Sequence, residues 1–206
     1  MKAEWLRFPL HVMVRPFDGF WDMKYEKKGK GLVALLILVL LIVAVIIQKQ
    51  FSGFLVNFND PRYLNSIDEF KYILLPFILW CLGNWSVTTL LDGEGRLKEI
   101  MITTAYALTP LVLFYYPTTL MSNFITNEES SFFYLLNSFA ALWFIWLLFV
   151  GMMTVHQYTA AKTIVTMLLT IVVMAIIVFL GMLVFSLIQQ IIGFVYSIYY
   201  ELIFRN

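Results

Sequence analysis

Charge is what this sequence has least of. Of 206 residues, 13% are charged and 61% hydrophobic, where globular chains carry about a quarter charged. From Ile100 to Tyr200 the only charged residues are Glu128, Glu129 and Lys162. A domain in water cannot cover itself with so few, so lipid is the solvent for most of this chain. Cysteine is nearly absent too. The single Cys81 excludes an internal disulfide or a cysteine-bound cluster, and it reads as a small packing residue inside an apolar run. A basic excess is also missing. A net charge of +1 leaves no electrostatic footprint for nucleic acid.

What is present is apolar length. The mean hydropathy is +0.83. A bilayer core needs roughly 20 apolar residues per helix, and five blocks qualify: Gly31–Ile47, Tyr72–Leu91, Ile100–Leu120, Phe132–Val155 and Thr163–Ile188. They are too long and too uniformly apolar for the short alternating strands of a membrane barrel. The expected fold is therefore all-α, a polytopic membrane protein with five transmembrane helices. Residues 1–30 read as an interfacial leader, 31–188 as the membrane domain, and 189–206 as an interfacial tail that bends at Gly193. No cleavable signal is visible, because the first apolar run begins behind a charged leader; that run reads as a retained anchor.

Orientation follows from Lys and Arg on alternate sides. Lys2, Arg7, Arg15, Lys24, Lys27, Lys28 and Lys30 in the leader, Arg96 and Lys98 after the second span, and Lys162 after the fourth make ten; Lys49, Arg62, Lys71 and Arg205 make four. Positive residues stay cytoplasmic. The N-terminus is then cytoplasmic and the C-terminus outside, in the plasma membrane. The leader interleaves Trp5, Leu6, Phe8, Val12, Met13, Phe17, Phe20 and Trp21 with charges, and Pro9 and Pro16 are expected to break it. That mixture suits a headgroup layer. The outer loop turns at Asn59-Asp60-Pro61.

Chemistry is scarce. None of the five cores holds a charge, although coupled transporters place ionisable groups there. The intramembrane polar residues include Asn84, Thr104, Thr109 and Asn137; Tyr106 and Pro110 belong to the same set. They serve interhelical hydrogen bonding or, alternatively, a polar solute path. His11, Asp18, Asp22, Asp92, Glu94, Glu99 and His156 gather near the inner face, but no pair has metal-ligand spacing and no nucleophile sits in a recognisable turn. No catalysis, metal or cofactor is expected. Asn84-Trp85-Ser86 is a chance sequon inside an apolar span. Asp92-Gly93-Glu94-Gly95 lacks the Lys and Ser/Thr of a phosphate loop and reads as a tight hairpin whose glycines let the chain reverse.

That hairpin also carries a likeness. Gly93 to Lys98, Glu99-Ile100, and Tyr106-Ala107-Leu108-Thr109-Pro110 resemble the Yip-domain family, the Ypt/Rab-interacting membrane proteins. Arg15-Pro16-Phe17-Asp18-Gly19-Phe20-Trp21 is similar to the short element before the first span in prokaryotic members. The resemblance implies five spans with a cytoplasmic N-terminus. Eukaryotic members carry a long cytosolic N-terminal region that contributes to small-GTPase binding; this short leader lacks it, so GTPase binding is not implied. The expected role is a membrane scaffold or accessory subunit that binds other integral membrane proteins, such as transporter subunits of a solute importer. The alternative is a small-solute channel or carrier. The expected docking residues are Arg15, Pro16, Phe17, Phe20 and Trp21 of the leader with Gly93, Gly95, Arg96 and Lys98 of the hairpin. The three aromatics would be apolar anchors and Arg96 a directional charge.

Overall fold

In lipid every backbone N–H and C=O must find its partner within the chain, and each apolar block meets that demand as a helix. A computed structural model describes residues 2–58 and 65–204. The Asn59-Asp60-Pro61 turn, Arg62 and Arg205 lie outside the described residues, as do the side chains of Trp5 and Leu6. The elements are α1 (Lys2–Val14), α2 (Pro16–Tyr25), α3 (Gly31–Phe51), α4 (Ser66–Leu90), α5 (Leu97–Ala107), α6 (Thr109–Met121), α7 (Ser130–His156) and α8 (Ala160–Phe204). Among the described residues five stretches are long and apolar enough to cross a membrane: α3, α4, α5 with α6, α7 and α8. The chain is an all-α polytopic membrane protein.

The third span is one block in sequence and two helices in space. Pro110 has no N–H for the carbonyl of Tyr106, four residues back, and its ring crowds that turn. The Thr109 hydroxyl donates to that carbonyl instead, at 2.6 Å. Pro16 likewise separates α1 from α2, standing at the first turn of α2 where a missing N–H costs nothing. Pro9 does not break the leader as expected; it lies inside α1. Pro76 lies inside α4.

The core is shared by α3, α5, α6 and α7. On α3 the buried residues Val33, Ala34, Ile37, Leu38, Leu41 and Ile42 recur at helical spacing. They face Ile100, Ala105, Tyr106, Leu147 and Val150. The leader is built into this core. Val12 and Phe20 are fully buried, and Gly19 brings α2 so near α1 that a Cβ there would stand 2.7 Å from the Val12 Cα. At the opposite end the Gly53 N–H donates to the Ser122 hydroxyl at 2.9 Å, and Asn123 donates to the Phe51 carbonyl. These bonds tie the end of α3 to the end of α6.

Helix α8 differs from the rest. It has 45 residues, about 68 Å at 1.5 Å per residue, more than twice the hydrocarbon thickness. The bend expected at Gly193 is absent: the helix continues unbroken through that residue. Its buried contacts are Thr163, Thr166 and Thr170, spaced three and four apart. From residue 178 to 204 every residue is exposed.

Candidate functional site

Three corners meet at one end of the bundle, the leader end: the link from α2 to α3, the hairpin between α4 and α5, and the turn between α7 and α8. Each corner holds a non-glycine residue in left-handed backbone, Lys27 (φ 53), Asp92 (φ 56) and Gln157 (φ 55). Each such residue is held at some cost by its surroundings. Here the glycine expectation is corrected. Neither Gly93 nor Gly95 has positive φ; Asp92 makes the reversal. The glycines are needed for close approach. A Cβ on Gly93 would lie 2.7 Å from His156 Nδ1 and from the Tyr158 hydroxyl, and one on Gly95 would lie 2.6 Å from His156 Cε1.

His156 is the hub beneath the hairpin and is 1% exposed. The Gly95 N–H donates to its Nδ1 at 3.3 Å, so the ring proton sits on Nε2, which donates to Asn84 Oδ1 at 3.1 Å. That pattern requires the neutral imidazole. Asn84 in turn donates through Nδ2 to Thr170 Oγ1 at 3.2 Å, and Thr170 donates to the Thr166 carbonyl. One chain of hydrogen bonds thus links the hairpin, α7, α4 and α8, through residues that are almost fully buried. Buried polar groups survive only when partnered, and these are. Tyr158 stacks on His156 with ring centroids 5.4 Å apart, and Lys162 lies over the Tyr158 ring at 4.2 Å. Burial, and then the Asp92 charge, raises the Tyr158 phenol. It stays protonated and donates to the Leu91 carbonyl at 2.9 Å.

The leader is pinned to the same corner. Lys24 Nζ donates to Glu94 at 2.7 Å and to the Val155 carbonyl at 2.8 Å. Lys28 pairs with Asp22 and Glu26, whose hydrogen bonds hold its ammonium above the usual lysine range. The Arg96 N–H donates to Glu99 at 3.1 Å, which caps α5.

The leader residues expected to dock a partner have different fates. Arg15 caps α2 without a side-chain bond and Pro16 begins it. Phe20 is fully buried against Gly151 of α7 and belongs to the core, so it is no surface anchor. Phe17 and Trp21 are each 50% exposed. With Asp18, Met153, Thr154, Gln157 and Tyr158 they line a hollow of about 340 Å³. Among the described residues neither Asp18 nor the Arg96 guanidinium has an ion-pair partner. Arg96 and Lys98 are exposed.

Of the intramembrane set, Asn84 is in the network above. Thr104 donates to the Ile100 carbonyl. The Tyr106 hydroxyl accepts from the Lys30 N–H at 3.2 Å. Asn137 donates to the Phe133 carbonyl and accepts from Gln48 at 3.1 Å. These contacts join helices or satisfy their own helix. Sequence places His156 near the inner face but not as a hub, and it does not single out Lys24 as pin or the Thr163–Thr166–Thr170 stripe. The threonine spacing was the available signal. Among the described residues no three His, Cys, Asp or Glu side chains are placed to share a metal ion.

No curated protein and no solved structure matches the chain. The profile of the Yip1 domain matches residues 10–183. The match takes in part of α1, all of α2, the hairpin and the spans through the packed half of α8, so the hairpin and leader features described here lie inside the domain. The chain belongs to the Yip1 domain family.

Proposed function

We propose that this is a non-catalytic membrane protein that works by binding other integral membrane proteins, with its leader end as the docking face. An accessory subunit of a larger importer is the concrete version. The observation that carries the reading is the hollow between α2 and the α7–α8 turn. Two half-exposed aromatics, Phe17 and Trp21, stand at its edge. The base under them is fixed by Lys24, His156 and Tyr158. Aromatic anchors on a rigid base are what protein interfaces concentrate their binding energy on. Arg96 on the adjoining hairpin adds a charge with no ion-pair partner among the described residues, available for a carboxylate across an interface.

Purification in mild detergent with mass spectrometry tests this. A second membrane protein in fixed proportion is expected. Recovery of the chain alone, together with solute flux when it is placed in liposomes, would favour a channel or carrier and overturn the reading.

The ten-to-four bias of Lys and Arg supports a cytoplasmic leader end, and the membrane proposed is the plasma membrane. Five crossings then put the C-terminus outside. A reporter active only in the cytoplasm, fused to Asn206, is expected to be silent; activity would refute this orientation or the five-span count.

A further inference from the structure

On another side of the leader end, α3, α4 and α5 enclose a groove of about 230 Å³. Its walls are Ala34, Leu35 and Leu38 of α3, Phe77 of α4, and Met101 of α5. Gly31, at the start of α3, and Lys98, in the first turn of α5, also line it and mark its end at the leader side. Leu35 and Met101 are 59% and 40% exposed, so the groove opens sideways, toward the lipid. At about 230 Å³ it is too small for even one turn of helix, roughly 400 Å³ for a cylinder about 10 Å across and 5.4 Å long. An alkyl chain fits.

The charge at the mouth selects the head. Lys98 has no carboxylate partner among the described residues. The other acids of this end face elsewhere: Glu94 pairs with Lys24, Asp22 and Glu26 with Lys28, Glu99 accepts from the Arg96 N–H, and the Asp92 charge acts on Tyr158. Asp18 lines the separate hollow beside Trp21. The first turn of α3 carries no acidic side chain; the acid beside Lys98 in the first turn of α5, Glu99, is turned back to the Arg96 N–H. We propose that this groove binds one anionic phospholipid, an acyl chain lying between α3, α4 and α5 and the phosphate on Lys98. A basic residue over an apolar interhelical groove at headgroup level is the chemistry that retains such lipids. The site is distinct from the docking hollow and does not depend on it.

The test titrates the purified protein in mild detergent with phosphatidylglycerol or phosphatidylcholine and reads bound lipid by native mass spectrometry. Wild type is expected to hold one phosphatidylglycerol several-fold more tightly than phosphatidylcholine. Lys98→Gln is expected to lower phosphatidylglycerol retention about fivefold. Gly31→Phe fills the mouth from a position where a Cβ meets nothing within 4 Å, and should exclude both lipids without disturbing the fold, checked by circular dichroism. Lys27→Gln, which removes an exposed cation of the leader end outside the groove, should change little. The proposal is overturned if wild type holds no lipid or does not distinguish the two. It is also overturned if Lys98→Gln or Gly31→Phe binds like wild type, or if Lys27→Gln loses as much as Lys98→Gln.

Discussion

Gly95→Val is expected to lower the melting temperature in detergent by about 5–10 °C, while Gly193→Leu leaves it unchanged. A Cβ on Gly95 would stand 2.6 Å from His156 Cε1 and 2.6 Å from Val155 Cγ1. Neither neighbour can retreat cheaply. The imidazole is held at both nitrogens, by Gly95 and Asn84, and Val155 is almost fully buried. Overpacking of this kind costs about 2–3 kcal/mol, and a chain of this length loses about 2–4 °C per kcal/mol. Gly193 lies on the exposed part of α8 with nothing within 4 Å, so a larger side chain there meets no other part of the protein. Thermal melts followed by circular dichroism separate the two. A Gly95→Val protein that melts with wild type would mean that the hairpin does not rest on His156.

The second large effect is non-additivity within the hydrogen-bond chain. Asn84→Ala strips His156 Nε2 of its acceptor and Thr170 Oγ1 of a donor. His156→Ala strips Asn84 and the Gly95 N–H. Each change leaves buried polar atoms alone, at about 1–3 kcal/mol. Because both remove the same central bond, the double variant is expected to cost about 1 kcal/mol less than the sum of the singles. A melt series on the four proteins measures this. Strict additivity would show that Asn84 and His156 act independently.

The five spans were legible because lipid sets one length and one composition for a crossing helix. The break in the third span was legible in part, since Pro110 removes a donor wherever it stands, but Thr109 replacing that donor depends on three-dimensional geometry. Pro9 misled for the opposite reason. α1 is short and packed against α2 and Tyr106, and tertiary contact tolerates a proline that local propensity would not. The length of α8 was hidden by Gln189, Gln190 and Gly193, which look like an ending, although none of them stops a helix. The hairpin glycines pointed to the right place for the wrong cause: sequence shows that a turn exists, whereas the ring beneath it comes from His156, sixty-one residues further on. Phe20 and Trp21 are adjacent aromatics with nothing in composition to separate them. Helix α2 turns Phe20 toward Gly151 and leaves Trp21 half exposed, and only packing decides which becomes core.

Docking at the leader end is tested most directly by partner recovery from two variants, Trp21→Ala and Arg96→Glu. Both residues are exposed and neither supports the hydrogen-bond chain, so expression, insertion and melting should match wild type. Quantitative mass spectrometry of the mild-detergent complex is expected to show the membrane partner with wild type and its loss from each variant. Full recovery with both, from protein that melts like wild type, would contradict docking at this face and place the contact elsewhere, on the lipid-facing length of α8.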